Sequence, residues 1–160
     1  MPSCSSALGS ALGRFATGVT VVTCVDGKGS PVGLTVNSFT ALSLEPPLVV
    51  WALRTESPSL PAFEAAKYFA VNVLGEAQIE VSKVFASHTH DRFSHGRWGG
   101  GRQGAPVLAG ALAVFECATV SAQREGDHVL FFGRVEHCAA HSGAPLVFQA
   151  GRYRRLGEPL

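Results

Sequence analysis

Residues 33–47 read GLTVNSFTALSLEPP, and they set five small hydrogen-bonding side chains among apolar neighbours of the kind that fill a core. These are Thr35, Asn37, Ser38, Thr40 and Ser43. Burying such groups is costly unless each finds a partner. In an extended strand Leu34 and Val36 share one face while Thr35 and Asn37 share the other. Asn37-Ser38 then starts a bend, and Pro46-Pro47 bounds the segment. Hydroxyls and a carboxamide beside apolar residues suit a ligand that is flat, apolar and edged with donors and acceptors. A flavin ring is such a ligand: its carbonyls and N3–H need small partners, and its phosphate needs hydroxyls and backbone N–H groups.

Other chemistry-bearing patterns are weaker. Gly99-Gly100-Gly101-Arg102-Gln103-Gly104 matches G-x-G-x-x-G by letter, but Arg97-Trp98 precede it and Ala105-Pro106 follow it. A dinucleotide fingerprint needs a buried strand before the glycines and a helix after them, so this run reads as a flexible loop. His88, His90, Asp91 and His95 are metal-ligand types, yet they lie in a glycine-flanked segment without a cysteine, and no metal site is expected. No Walker motif, nucleophile elbow or HExxH is present.

The elements that must position these residues are mostly strands. Ser6 to Phe15 spaces Leu8, Leu12 and Phe15 on one helical face. VTVVTCV (19–25), the turn Asp26-Gly27-Lys28-Gly29 and PVGLTV form a hairpin signal. TALSL and LVVWALR give two more strands, broken at Pro46-Pro47. SPSLPAFEAAK (57–67) predicts a short helix, with Ser57 as N-cap. YFAVNVL (68–74) is a strand, and EAQIEVSKVFASH an amphipathic helix. Residues 87–106 form a long loop, of the kind that often carries function. Two long strands, GALAVFECATVSAQ and HVLFFGRVEHCAA, and a final pair, APLVFQA and GRYRRL, complete the chain. This predicts a mostly β protein with two or three short helices, arranged as a closed or nearly closed antiparallel barrel.

At 160 residues the chain is read as a single domain, 1–160, large enough for its own core. It is 46% hydrophobic and only 16% charged, so one copy is short of polar surface and an oligomer is expected. The net charge of +1 gives no global field for nucleic acid or anionic lipid. The four cysteines, Cys4, Cys24, Cys117 and Cys138, form no CxxC and no disulfide framework. MPSCSSALGSALGRFATG lacks a basic leader with a long apolar run, and no stretch reaches membrane-span length. A soluble, cytoplasmic protein is expected.

FATGVTVVT, VGLTVNSFTALSLEPPLV, FAVNVL, DRF, GALAVFEC and GDHVLFFGRV occur in that order, and together they resemble the short-chain flavin reductase family. These are the reductase components of two-component flavin-dependent monooxygenases, and the resemblance runs from about Leu12 to Leu156. It implies an FMN-binding split β-barrel of Greek-key topology, a homodimer, bound FMN or FAD, and NADH or NADPH as co-substrate. It also implies hydride transfer to the flavin and release of reduced flavin to a separate oxygenase.

By the same resemblance Thr35, Val36, Asn37 and Ser38 fall in the block that lines the flavin ring, and Ser43 at a phosphate contact. Arg54, Thr55, Ser57 and Ser59 form the next block, where a phosphate would meet a cation and a helix start; Ser57 reads equally as a plain N-cap. Asp91-Arg92-Phe93 matches a loop closing over the flavin, with Phe93 either covering the ring or anchoring the loop. His88 lies just before it, within reach of the phosphate. His128 falls where the family places a histidine beside the nicotinamide; read without the resemblance it is a solvated turn residue. Tyr153 is a further candidate on the nicotinamide side. The alternatives are a flavin- or haem-holding barrel without turnover and, more distantly, an oxidase of pyridoxamine-phosphate type.

Overall fold

The computed structural model describes residues 4–160. Helix α1 (Cys4–Leu12) leads into β1 (Thr17–Gly18) and β2 (Thr20–Val25). The Asp26 turn reverses the chain into β3 (Pro31–Val36), as its chemistry predicts: the Asp26 carboxylate accepts from Lys28 N and Ser30 N at 2.9 and 2.8 Å, and Gly29 supplies φ +82°. Strands β4 (Thr40–Leu44) and β5 (Pro47–Arg54) follow, then the short helix α2 (Leu60–Ala65) and β6 (Tyr68–Val73). A 3₁₀ turn (Glu76–Gln78) runs into α3 (Ile79–Ala86).

The stretch expected to be one long loop contains structure of its own. A 3₁₀ turn covers Arg92–Ser94, and β7 (Trp98–Gly100) pairs with β8 (Pro106–Leu108) in a small hairpin. The glycine run is therefore half strand and half turn. The 101–105 turn is closed by Gly101 N to Ala105 O at 2.9 Å and capped by the Glu116 carboxylate, which accepts from Arg102 N at 2.6 Å. The long strands β9 (Ala113–Glu125) and β10 (His128–Ala140) meet at Gly126-Asp127, and β11 (Val147–Gln149) and β12 (Arg152–Arg154) close the chain.

Seven strands form one antiparallel sheet in the order β3-β2-β6-β9-β10-β5-β4, with a second small sheet β1-β11-β12. The fold is the expected mostly β one with three short helices. Central strands are buried on both faces. Val22 and Cys24 of β2 point to one core with Trp51, Phe63, Phe69 and Phe131, while Val19 and Val21 point to another with Leu74, Phe85, Leu108 and Leu146. In the first core Trp51 stacks on Phe131 at 4.8 Å and meets the edge of Phe63 at 4.9 Å.

Two buried polar residues tie the outer hairpin to this frame. Asn72 Nδ2 donates to Val21 O at 3.1 Å, and its Oδ1 accepts from Leu108 N at 2.8 Å. Thr23 Oγ1 donates to Pro106 O at 2.6 Å. Both side chains are fully buried, and each of their polar atoms has a hydrogen-bond partner, as the cost of burying them requires. Burial also pushes the thiols of Cys24 and Cys117 up to about 12, so both stay neutral. No helix among the described residues is long and apolar enough to cross a membrane. The Leu8, Leu12 and Phe15 face of α1 and the following turn is left exposed in the single chain.

Where β9 bulges at Val120, opposite the Phe132-Gly133 step of β10, Phe69 packs so closely that a Cβ on Gly133 would run into its ring. Gly133→Ala is expected to lower stability by about 1–3 kcal/mol through overpacking. A urea denaturation midpoint unchanged from the parent would refute this account of the glycine.

Candidate active site

One cleft of about 550 Å³ opens between the end of β3, the end of β5, the 56–59 turn, and the segment leaving α3. The alternation Leu34-Thr35-Val36 continues into Asn37-Ser38, and β3 ends there because the chain must leave the sheet edge to begin β4. Ser38 makes that departure without losing contact. Its Oγ donates to Ala52 O at 2.8 Å and accepts from Ala52 N at 3.1 Å. One side chain thus occupies both hydrogen-bonding groups of the Ala52 residue, much as a paired strand residue would.

The opposite wall is formed by α3 and the segment from Ser87 to Arg92. Thr35 Oγ1 donates to Ser82 O at 2.6 Å, which locks β3 to the helix. Ser82 Oγ in turn shares a 2.7 Å hydrogen bond with Tyr153 Oη. Arg92 donates from one terminal nitrogen to Gly33 O at 2.7 Å and from the other to Ser87 O. Burial lowers its guanidinium below the ordinary value, and Nε is buried without a partner. Gly33 leaves little room here: a Cβ would stand 3.0 Å from Phe85 and 3.1 Å from Phe93.

His128 enters from the floor, directly across the sheet from Arg54. Its Nδ1 lies 2.7 Å from the Asp127 carboxylate. That hydrogen bond, followed by the charges of His128 and Arg54, holds the Asp127 carboxyl below the usual carboxylate range. Thr55 N donates to Asp127 O at 2.9 Å and fixes the turn. With Nδ1 occupied, Nε2 is the imidazole atom left for a ligand.

Of the residues singled out in the sequence, Thr35, Val36, Asn37, Ser38, Arg54, Ser57, Ser59, His88, Arg92 and His128 all line this cleft. Four do not. Ser43 sits on β4 opposite Leu48, and Thr55 faces the Asp127 turn. Phe93 packs edge-on against Phe85 at 5.0 Å and lines a neighbouring hollow. Tyr153 lies behind α3, bracing Ser82 rather than facing the cleft. Ser57 is not the cap of α2: Ser59 holds that position without a side-chain cap bond, and Ser57 Oγ instead accepts from Ser59 N at 3.3 Å. Cleft residues not singled out from the sequence are Leu34 of β3, Ala52 and Leu53 of β5, Glu56 and Pro58 of the turn after it, and Phe85–Ser87 at the end of α3. The apolar period of α3 marks Phe85 as buried, but no local signal says which strand the helix covers.

The cleft fits a flavin chemically. Leu34, Val36, Leu53 and Phe85 give it apolar walls. Among the described residues the Asn37 carboxamide, the Ser59 hydroxyl and the His88 imidazole have no protein hydrogen bond, and Arg92 Nε is an orphaned buried donor. Among the described residues no group of three or more His, Cys, Asp or Glu side chains is placed to hold a metal ion. Thr35→Val and Ser38→Ala are each expected to cost about 1 kcal/mol, the net worth of the bonds removed. Chemical denaturation of the two variants and of their combination checks this, with no loss in either variant counting against these wall bonds.

The flavin reductase like domain model matches residues 12–157. The FMN reductase (NADH) SmoA of Agrobacterium fabrum is 42% identical over 148 residues, covering 92% of this chain and 84% of that protein. The reductase subunit HsaB of a flavin-dependent monooxygenase from Mycobacterium tuberculosis is 43% identical over 153 residues, covering 94% of this chain and 81% of that one. Two other curated relatives, from Rhizobium meliloti, are longer, and the chain spans 42% and 56% of their lengths. Among solved structures, the Streptomyces globisporus NADH:FAD oxidoreductase SgcE6 with NAD and FAD fragments superposes with a TM-score of 0.91 at 38% identity. That match covers 98% of this chain and 95% of SgcE6. A mostly β frame, a cleft edged with small polar groups and a match running almost end to end agree with one another: the chain belongs to the flavin reductase-like family.

Proposed function

We propose that the protein is a nicotinamide-dependent flavin reductase that reduces FMN or FAD and supplies reduced flavin to a separate monooxygenase. The observation that carries this reading is the convergence on one cleft of the Asn37-Ser38 bend, the Ser57–Ser59 turn, Arg92 and His128. The names of SmoA, HsaB and SgcE6 support it.

A flavin held here would supply the electronics of the reaction, as the acceptor of a hydride from the nicotinamide donor. The protein's share is binding, orientation and exclusion of water. Asn37 presents donors and an acceptor to a polar ring edge, while Leu34, Val36 and Leu53 offer apolar surface to the ring. Ser59, His88 and Arg54 offer a hydroxyl and positive charge to a phosphate. His128 uses its Nε2 to orient a carboxamide: as neutral imidazole with Nδ1–H directed at Asp127 it accepts a hydrogen bond, and as imidazolium it donates one. Such a reaction needs no acid–base pair, consistent with a cleft whose one lining carboxylate is Glu56.

We also infer that two copies associate. Leu8, Leu12 and Phe15 by α1, with Leu42 and Leu44 on edge strand β4, are large apolar side chains left in water by a single chain. Sedimentation should give the mass of a dimer, and Leu42→Glu with Leu44→Glu should shift it to monomer; a monomeric parent would overturn the inference.

The test of activity is oxidation of NADH or NADPH in the presence of excess free FMN, FAD or riboflavin. Sustained turnover is expected, whereas a single stoichiometric reduction would favour a flavin carrier. In His128→Ala the KM for the nicotinamide donor should rise about tenfold, or about 1.4 kcal/mol, with flavin affinity nearly unchanged. Equal loss of both would make His128 structural.

A further inference from the structure

The turn that follows β5 sets a cation, an acid and two hydroxyls side by side. Residues 54–57 run Arg-Thr-Glu-Ser, and Ser57 N donates to Arg54 O at 3.1 Å to close the turn. Thr55 N ties it to the Asp127 reversal at 2.9 Å, and Ser59 N donates to Ser57 Oγ at 3.3 Å. The segment is therefore held in place, and Arg54, Glu56, Ser57 and Ser59 all line the cleft.

Glu56 runs against the chemistry of its neighbours. It is the one acid among the described residues lining the cleft, which otherwise carries Arg54, Arg92, His88 and His128. It is exposed, and no hydrogen bond or ion pair ties its carboxylate to another described residue. Glu116, an acid that does serve the fold, is by contrast half-buried and caps a turn through Arg102 N. A carboxylate in this place repels a phosphate offered to Arg54, Ser57 and Ser59.

We propose that Glu56 lowers the affinity of the cleft for the flavin phosphate, so that flavin is exchanged as a substrate instead of being kept as a resident group. This rests on the reading of Arg54, Ser59 and His88 as the phosphate end of a flavin site. The sign of the effect does not depend on how the side chain turns. Directed at the phosphate, the carboxylate repels it; directed at Arg54, it cancels the cation that would attract it. The effect is confined to a charged flavin. Riboflavin has the same ring and ribityl chain as FMN but no phosphate, and Glu56 leaves its binding alone.

The experiment is equilibrium titration of the unliganded protein with FMN and with riboflavin, read by flavin fluorescence. It is run on the parent, Glu56→Gln and Glu158→Gln, the last removing an equal charge from the exposed C-terminal tail. Glu56→Gln should lower the Kd for FMN about tenfold, the size expected of one charge facing a phosphate in a cleft half open to water. The Kd for riboflavin should stay as in the parent. The gap in FMN affinity should narrow as salt is raised toward about 1 M, where charges are screened within about 3 Å. Stopped-flow mixing should show FMN leaving the Glu56→Gln protein more slowly than the parent.

An unchanged Kd for FMN, an equal fall in the Kd for riboflavin, or equal tightening of FMN in Glu158→Gln would overturn the proposal. So would a change in the KM for NADH with both flavin affinities intact, which would assign Glu56 to the nicotinamide donor. If neither flavin binds the parent, the reading of the cleft as a flavin site fails, and the role of Glu56 falls with it. If both bind and Glu56→Gln changes neither, that reading stands and the role of Glu56 alone is refuted.

Discussion

The double hydrogen bond between Ser38 and Ala52 is the constraint on which the cleft depends. A seven-stranded sheet with β3 at one edge and β4 at the other has to bring the end of β3 against β5 although the two are not neighbours in the sheet. Continuing β3 as a strand would pass over the site; turning it away would open the site to water. A serine at the bend does neither, because its hydroxyl both donates to and accepts from one residue of β5. Alanine could fill the space but would leave the Ala52 N–H and C=O without that partner.

The other walls obey the same rule. Thr35 holds α3 through a backbone carbonyl, Arg92 holds β3 and the end of α3 through two more, and Tyr153 braces the helix from behind. The small polar residues of the 33–47 stretch are therefore of two kinds. Thr35 and Ser38 are spent inside the protein, whereas Asn37 has no hydrogen bond to it. The sequence alone does not separate them, since the partners lie 47 and 14 residues away.

What was legible in the sequence was local. A β-branched run and turn chemistry mark β2, β3 and the Gly126-Asp127 reversal, because strand propensity and positive-φ glycine act over a few residues. The ordered blocks of the resemblance also brought ten candidate residues to one cleft. The misses are non-local. Tyr153 faces Ser82 because β12 is placed behind α3, and no spacing near residue 153 encodes that. The glycine run looks like a flexible loop until Glu116, 14 residues on, caps its turn and β8 pairs with its first half. Ser57 has cap chemistry, yet Pro61 sits at the start of a helix that begins three residues later.

A site whose hydroxyls are already bonded behaves differently from one that waits for its ligand. When a ligand leaves, Thr35 and Ser38 keep their partners, so neither hydroxyl is stranded and these walls have no cause to collapse. Asn37 is exposed and returns to water at little cost. Arg92 is held at both terminal nitrogens, and only its buried Nε lacks a partner. Preorganised walls of this kind lower the ordering cost of binding without making release expensive. For a protein proposed to load a flavin, reduce it and give it up at each cycle, that balance matters more than any single contact to the ring. The polar residues that make the 33–47 stretch look unlike a core strand are, in the main, what lets the cleft stand open.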